Sequence, residues 1–262
     1  MDIRIFDTHA HYDDRAFDAD RDEVLDSLLS KGVEAVTNIG CDMQTSRNTD
    51  ALTKRYDFMY GAVGVIPSEC GDMTEDDIEE LRALIRNNSK IRAVGEIGLD
   101  YHWDDAPERE VQKKWFIRQL ELAYEEKLPV VIHSRDAAED TIEILKSFYA
   151  EYPVEQPGVM HCYSYSKEIA QILLGMNFYF GIGGVISFKN AKKLVKAVEV
   201  IPAENLVVET DCPYLAPEPY RGRRNYSGYL SYVIEKIAEI KGLSTADAAA
   251  VTWENAHRLY RL

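Results

Sequence analysis

The chain has 262 residues, of which 46% are hydrophobic and 29% charged, enough apolar material for a sizeable core and too much for a disordered segment. Thirty Lys and Arg stand against 45 Asp and Glu, a formal net charge of −15, which excludes nucleic-acid binding by a broad basic face and requires that any polyanionic substrate be held locally. No run of ~18 apolar residues is present, and Asp2, Arg4, Asp7, Asp13, Asp14 and Arg15 occupy the stretch where a signal peptide needs an apolar core. These features predict a cytoplasmic protein with no membrane attachment. Cys41, Cys70, Cys162 and Cys212, with no CxxC pair among them, read as reduced thiols.

In chain order, eight short β-branched or apolar runs read as strands: Asp2–Asp7, Glu34–Ile39, Phe58–Val63, Ile91–Glu96, Pro129–His133, Gly158–His161, Phe178–Ile182 and Leu206–Asp211. Between them lie segments such as Arg21–Lys31, Thr74–Asn87, Pro107–Lys127, Ala137–Ala150 and Ser166–Met176, where apolar residues recur at three- and four-residue intervals, as on amphipathic helices. Acids from Glu75 to Glu80 load the first turns of one helix, and Lys31-Gly32 closes the first. Two further helices, about 228–241 and 245–259, finish the chain. Eight βα units are most economically an α/β fold of the (β/α)8 TIM-barrel type with additional C-terminal helices. With no Pro/Ser-rich linker or compositional break, residues 1–262 are expected to form a single domain.

Four of the six histidines, His9, His11, His133 and His161, fall at the carboxyl ends of these strands, where a barrel gathers its active-site residues. His9 and His11 lie two apart, so an extended chain turns both rings to one side. Glu96 and Asp211 likewise end apolar runs. A buried histidine satisfied by hydrogen bonds explains any one of these positions. Six ligand-type residues arriving at one rim are better explained by metal, since each buried charge otherwise needs its own partner. Six exceed the three or four protein ligands of a mononuclear zinc site, and a carboxylate can bridge, so two divalent ions are expected. A donor set without thiolate leaves Mg, Mn, Zn, Fe and Co open. Cys162 and Cys212 follow proposed ligands but alternate away from them, as packing residues do. Two ions, Glu96, Asp211 and a bridging hydroxide sum to about +1, a pocket suited to a phosphodiester. Gly181-Ile182-Gly183-Gly184 lacks phosphate-loop spacing and reads as a tight βα turn. No GxSxG elbow or Cys–His nucleophile pair stands out.

Asp7-Thr8-His9-Ala10-His11, Gly95-Glu96-Ile97-Gly98-Leu99-Asp100-Tyr101, Val131-Ile132-His133-Ser134-Arg135, His161-Cys162, Glu209-Thr210-Asp211-Cys212-Pro213-Tyr214-Leu215 and Arg221-Gly222-Arg223-Arg224-Asn225 together resemble the TatD family of metal-dependent deoxyribonucleases, across essentially the whole chain and in family order. The resemblance implies a barrel of the metallo-dependent hydrolase superfamily that hydrolyses DNA phosphodiester bonds, exonuclease action at a 3′ end included. It implies that His9, His11 and Asp211 bind one ion, that His133 and His161 bind the other, and that Glu96 bridges. Glu209 is carried as a further acid of the site; Asp7 is not carried as a ligand. Two departures, Tyr163-Ser164-Tyr165 for Phe-Ser-Gly and Tyr226-Ser227 for Glu-Pro, spare the proposed ligands and bear on substrate choice.

The expected catalytic residues are therefore Glu96, Asp211 and Glu209. The expected substrate contacts are Arg221, Arg223 and Arg224, whose guanidinium forks suit phosphate, with Tyr101 and Tyr165, and Tyr226 as a further stacking face for a base. The expected substrate is single-stranded or frayed DNA, and no obligate protein partner is indicated. Two other classes compete: an amide or ester hydrolase of the same barrel, such as an aminoacyl-tRNA deacylase, and a non-catalytic, metal-stabilised binding protein.

Overall fold

The computed structural model describes residues 3–262. Eight strands, β1 (Ile5–Ala10), β2 (Val33–Ile39), β3 (Met59–Val63), β4 (Ile91–Asp100), β5 (Val130–Arg135), β6 (Gly158–Met160), β7 (Tyr179–Ile182) and β8 (Leu206–Val208), make one sheet in sequence order. The helices are α1 (Arg21–Ser27), α2 (Met43–Arg55), α3 (Glu75–Asn87), α4 (Arg109–Glu125), α5 (Ala138–Glu151), α6 (Lys167–Leu174), α7 (Lys192–Val200), α8 (Leu230–Lys241) and α9 (Thr245–Tyr260). Strand and helix alternate through α8, and an isolated parallel bridge joins Ala10, the last residue of β1, to Cys212, four residues past the end of β8. This is the (β/α)8 topology with α9 added. No helix among the described residues is long and apolar enough to cross a membrane, and none of the four cysteines is in a disulfide.

The chain divides into two compact units. One holds residues through Asn38 with His161–Gly175 and Tyr179–Leu262. Here β1 is buried throughout, as a parallel strand covered on both faces must be. Phe6 packs on Trp253 and Tyr260 of α9, and the Tyr260 hydroxyl donates to the Thr8 carbonyl at 2.6 Å. β1 extends three residues beyond the expected Asp7, because the His9 carbonyl accepts from Asp211 N–H and His11 N–H donates to the Cys212 carbonyl, each at 2.9 Å. The expected start of that strand at Asp2 lies outside the described residues. Gly32 takes φ +80°, and the expected first helix divides into α1 and a 3-10 turn at Leu29–Lys31.

The other unit comprises Ile39–Met160 and Met176–Phe178. β3, β4, β5 and β6 pair in parallel. α3 buries Ile78, Leu81 and Ile85, and a Thr74–Asp77 capping box starts it. β4 runs to Asp100, four residues past the expected Glu96, and brings Gly98 against His133. Gly98 takes φ +146°, and an added Cβ would stand 1.9 Å from the His133 carbonyl oxygen, so only glycine lets the two strands approach there.

Candidate metal centre

In the first unit, the extended backbone of β1 places His9 and His11 with Nε2 atoms 3.1 Å apart. Asp211 Oδ1 completes a triangle, 3.6 Å from His9 Nε2 and 3.3 Å from His11 Nε2. A tetrahedral ion with bonds of 2.0–2.1 Å has ligand–ligand edges of about 3.3 Å, so the three atoms already have the spacing of one coordination sphere. Asp211 sits in the left-handed region at φ +56°, turned out of the line of β8. Burial raises its pKa, but the hydrogen bond with His11 and the charges of His161 and His9 outweigh burial and hold the carboxyl below the usual range.

His161 stacks on His9, with ring centroids 3.9 Å apart and planes within 14°. Its Nδ1 is 3.5 Å from Glu209 Oε1, which also accepts the Cys162 N–H. Ligand atoms of His9, His161 and Glu209 all lie within 4.8 Å of one another. Glu209 is 1% exposed, and its second oxygen, Oε2, has no hydrogen-bond partner. An orphaned carboxylate oxygen at that depth is costly unless a cation meets it. Room for the carboxylate comes from Gly181, where an added Cβ would stand 2.0 Å from Oε2. Gly181, the first glycine of the run expected to form a turn, lies within β7 and clears space for an acid.

Asp7 accepts from Thr210 N–H and Oγ1 and from Ser227 Oγ. Burial pushes its carboxyl up to about 7 against those hydrogen bonds, and its oxygens are spent on tying β1 to the chain that follows β8. Cys212 is fully buried, and burial pushes its thiol up to about 12; it packs, as expected. Cys162 takes φ +44°, ending the extended chain after His161.

In the second unit, His133 lies between two carboxylates. Its Nδ1 is 2.8 Å from Glu96 Oε1 and its Nε2 is 3.0 Å from Asp100 Oδ2. Asp100 also accepts the His102 N–H at 2.9 Å, and Gln112 brackets its backbone. Burial raises the Asp100 pKa, but the hydrogen bonds from His133 and His102 prevail, so the group stays an acceptor. A carboxylate that accepts a hydrogen bond from Nε2–H leaves Nδ1 as the lone-pair donor, the arrangement by which metal-binding imidazoles are oriented. The sequence marks Asp100 only through its place in the Gly95–Tyr101 motif.

Each expected substrate contact has its own neighbours. Arg224 is held by both oxygens of Asp20, at 2.7 and 2.6 Å, and by the Ala16 carbonyl. Arg221 lies over Phe188 and Arg223 beside Tyr220, both exposed. Tyr101 donates to Asp140 at 2.7 Å, with Arg109 over its ring. Tyr165 stands edge-on to Tyr163, and Lys193 Nζ is 5.7 Å from its ring. Tyr226 packs edge-on to Tyr229.

The family model described as TatD related DNase matches residues 6–261. The chain belongs to the TatD family. The uncharacterized metal-dependent hydrolase YabD of Bacillus subtilis is 43% identical over 258 residues, which cover 98% of this chain and 99% of that one. The uncharacterized metal-dependent hydrolase YcfH of Escherichia coli K12 is 33% identical over 98% of this chain and 96% of its own. The crystal structure of YJJV, a TatD homolog of Escherichia coli K12, superposes with a TM-score of 0.92 at 28% identity, covering all of both chains. This TatD protein is accordingly a metal-dependent hydrolase, and its histidine and glutamate groups are of the kind that hold metal ions.

Proposed function

We propose that this TatD chain, residues 1–262 acting as one catalytic domain, is a two-metal deoxyribonuclease that shortens single-stranded or frayed DNA from a 3′ end. The observation that carries the metal assignment is the His9–His11–Asp211 triangle, with edges of 3.1, 3.3 and 3.6 Å. His9, His11 and Asp211 would hold one ion, His133 and His161 would hold the second, and Glu96 would serve both. Glu209 faces the His161 side and Asp100 orients His133. Divalent ions bound there supply Lewis-acid polarisation of a phosphoryl oxygen and lower the pKa of a water.

The protein's own groups divide the remaining work. Glu96 and Glu209, 5% and 1% exposed, are each buried in their own surroundings, which limits the movement of their oxygens. Arg221 and Arg223 are assigned to the phosphates beside the scissile one, and Arg224, pinned by Asp20, fixes the loop that carries them. Tyr101 and Tyr165 are assigned to the sugar and base. The net charge of −15 disfavours a long duplex track, whereas a single strand can reach the site without first opening. A cytoplasmic setting keeps the four thiols reduced.

The test uses protein stripped with chelator, reconstituted with Mg, Mn, Zn, Fe or Co in turn, and given end-labelled strands. The reading predicts a ladder of shortened 5′-labelled DNA and immediate release of a 3′ label as mononucleotide. Release of the amino acid from aminoacyl-tRNA with DNA left intact would replace this reading with an ester hydrolase.

A further inference from the structure

Between Tyr163 and Lys196 the chain carries five lysines and one acid, Glu168, in a protein whose acids outnumber its cations by half. Four of those lysines, Lys167, Lys192, Lys193 and Lys196, line a cleft of about 380 Å³ with Ser166 and Glu168. All four are exposed. Several other cations of the described chain are neutralised: Arg47 holds Glu80, Arg82 and Arg86 hold Glu126, Arg118 holds Glu75 and Arg224 holds Asp20. None of the four cleft ammonium groups makes an ion pair with any described residue; Glu168 is hydrogen-bonded to Ser166 and feels Lys167 and Lys196 through their charges alone.

Their placement also runs against helix electrostatics. Lys167 is the first residue of α6, and Lys192 and Lys193 are the first two of α7, at helix ends whose partial positive charge disfavours cations. Three unpaired cations on two helix N-termini form an arrangement that an anion would relieve, and local rules are broken in this way at functional sites. Both helices begin after the carboxyl ends of their strands, the end at which His161 and Glu209 lie. Tyr165, four residues beyond His161, puts its ring 5.7 Å from Lys193 Nζ, so that an aromatic face and an ammonium stand together.

We infer that the cleft between α6 and α7 is a phosphate-backbone subsite, which grips the nucleic-acid strand a few nucleotides from the bond being cut while Tyr165 offers a stacking face. This rests on the nuclease reading. It adds a place of binding that the arginine loop does not supply, since Arg224 is already engaged.

The test is fluorescence anisotropy with a labelled single-stranded 20-mer of hydrolysis-resistant phosphorothioate linkages and metal-loaded protein, over a range of salt. Replacing Lys192, Lys193 and Lys196 together by Glu should raise Kd at least ~10-fold. Replacing them by Gln should lower the slope of log affinity against log salt by about 2, at roughly 0.7 for each single-strand phosphate that is no longer neutralised. The loss in kcat/KM should grow with strand length, from dinucleotide to 20-mer. Single Gln variants give the same ordering should a triple variant not fold. Unchanged affinity and salt slope in folded variants, or wild-type protein that binds no strand, would overturn the subsite. Wild-type protein that binds the strand through these lysines yet cleaves no nucleic acid would leave the subsite standing and refute the nuclease reading.

Discussion

Replacing Gly181 with alanine would put a methyl group where Glu209 already stands. The added Cβ would lie 2.0 Å from Oε2, 2.5 Å from Cδ and 2.9 Å from Oε1 of that carboxylate, against ordinary contacts of about 3.5–4.0 Å. Relief requires a movement of more than 1 Å by a side chain that is 1% exposed. Overpacking of this kind costs ~1–3 kcal/mol, or roughly 2–10 °C in Tm for a chain of this size. If Glu209 stands beside a bound ion, as proposed, displacing it should also weaken divalent-ion affinity by 10–100-fold, roughly the cost of losing an outer-shell partner. The assay is a double-mutant cycle with Glu209→Ala, following Tm of metal-free protein and metal binding by calorimetry. With the carboxylate gone, Gly181→Ala should cost only a few tenths of a kcal/mol, so that most of the ~1–3 kcal/mol appears as coupling between the two positions. Additive effects would show that the glycine does not serve the glutamate, and the reasoning would fail.

Asp100→Asn, which keeps the shape but weakens the acceptor for His133 Nε2, should lower metal affinity ~10–100-fold with Tm of the metal-free protein nearly unchanged; equal affinity in calorimetry would remove Asp100 from the site. Glu126 receives Arg86 and Arg82 at 2.8 and 2.9 Å, and those hydrogen bonds, against a burial penalty, hold its pKa below the usual value. Because the folded-state pKa is depressed, its contribution of ~1 kcal/mol is present above the unfolded value of about 4.3 and is lost as pH falls through the folded value. Glu126→Gln should therefore melt ~2–4 °C lower at pH 7 and match wild type in strong acid; a gap that persists there would contradict the sign. Covalently closed duplex circles should be cut far more slowly than linear single strands, and equal rates on a gel would mean that the access argument is wrong.

The eight strands were legible because parallel strands buried on both faces read as unbroken apolar runs, yet several of their ends were not. Asp211, at φ +56°, and Cys162, at φ +44°, leave the extended region, so β8 and β6 stop before the ligand-type residues that follow them. α2 carries little apolar signal because the side chains it buries are Ser46, Thr49 and Thr53; the Thr49 and Thr53 methyl groups pack where Gly61 leaves space, and the Ser46 hydroxyl packs where Gly40 does. The histidines and acids at strand ends were visible one by one, since each interrupts an apolar run. Asp100 was not, because its value depends on the β4–β5 register that sets Gly98 opposite His133. The lysine cleft draws on Lys167 and on Lys192 to Lys196, some 25 residues apart in sequence, and only the placement of α6 beside α7 gathers them.

The central claim is most directly tested by the metal content of wild-type and Glu96→Ala protein, each reconstituted and desalted, measured by plasma mass spectrometry against protein concentration. A bridging glutamate predicts about two ions per chain in wild type and a greater loss in Glu96→Ala than in His133→Ala or His161→Ala, since one carboxylate serves both ions. A single ion per reconstituted wild-type chain, or a Glu96→Ala protein that keeps two, would contradict the account.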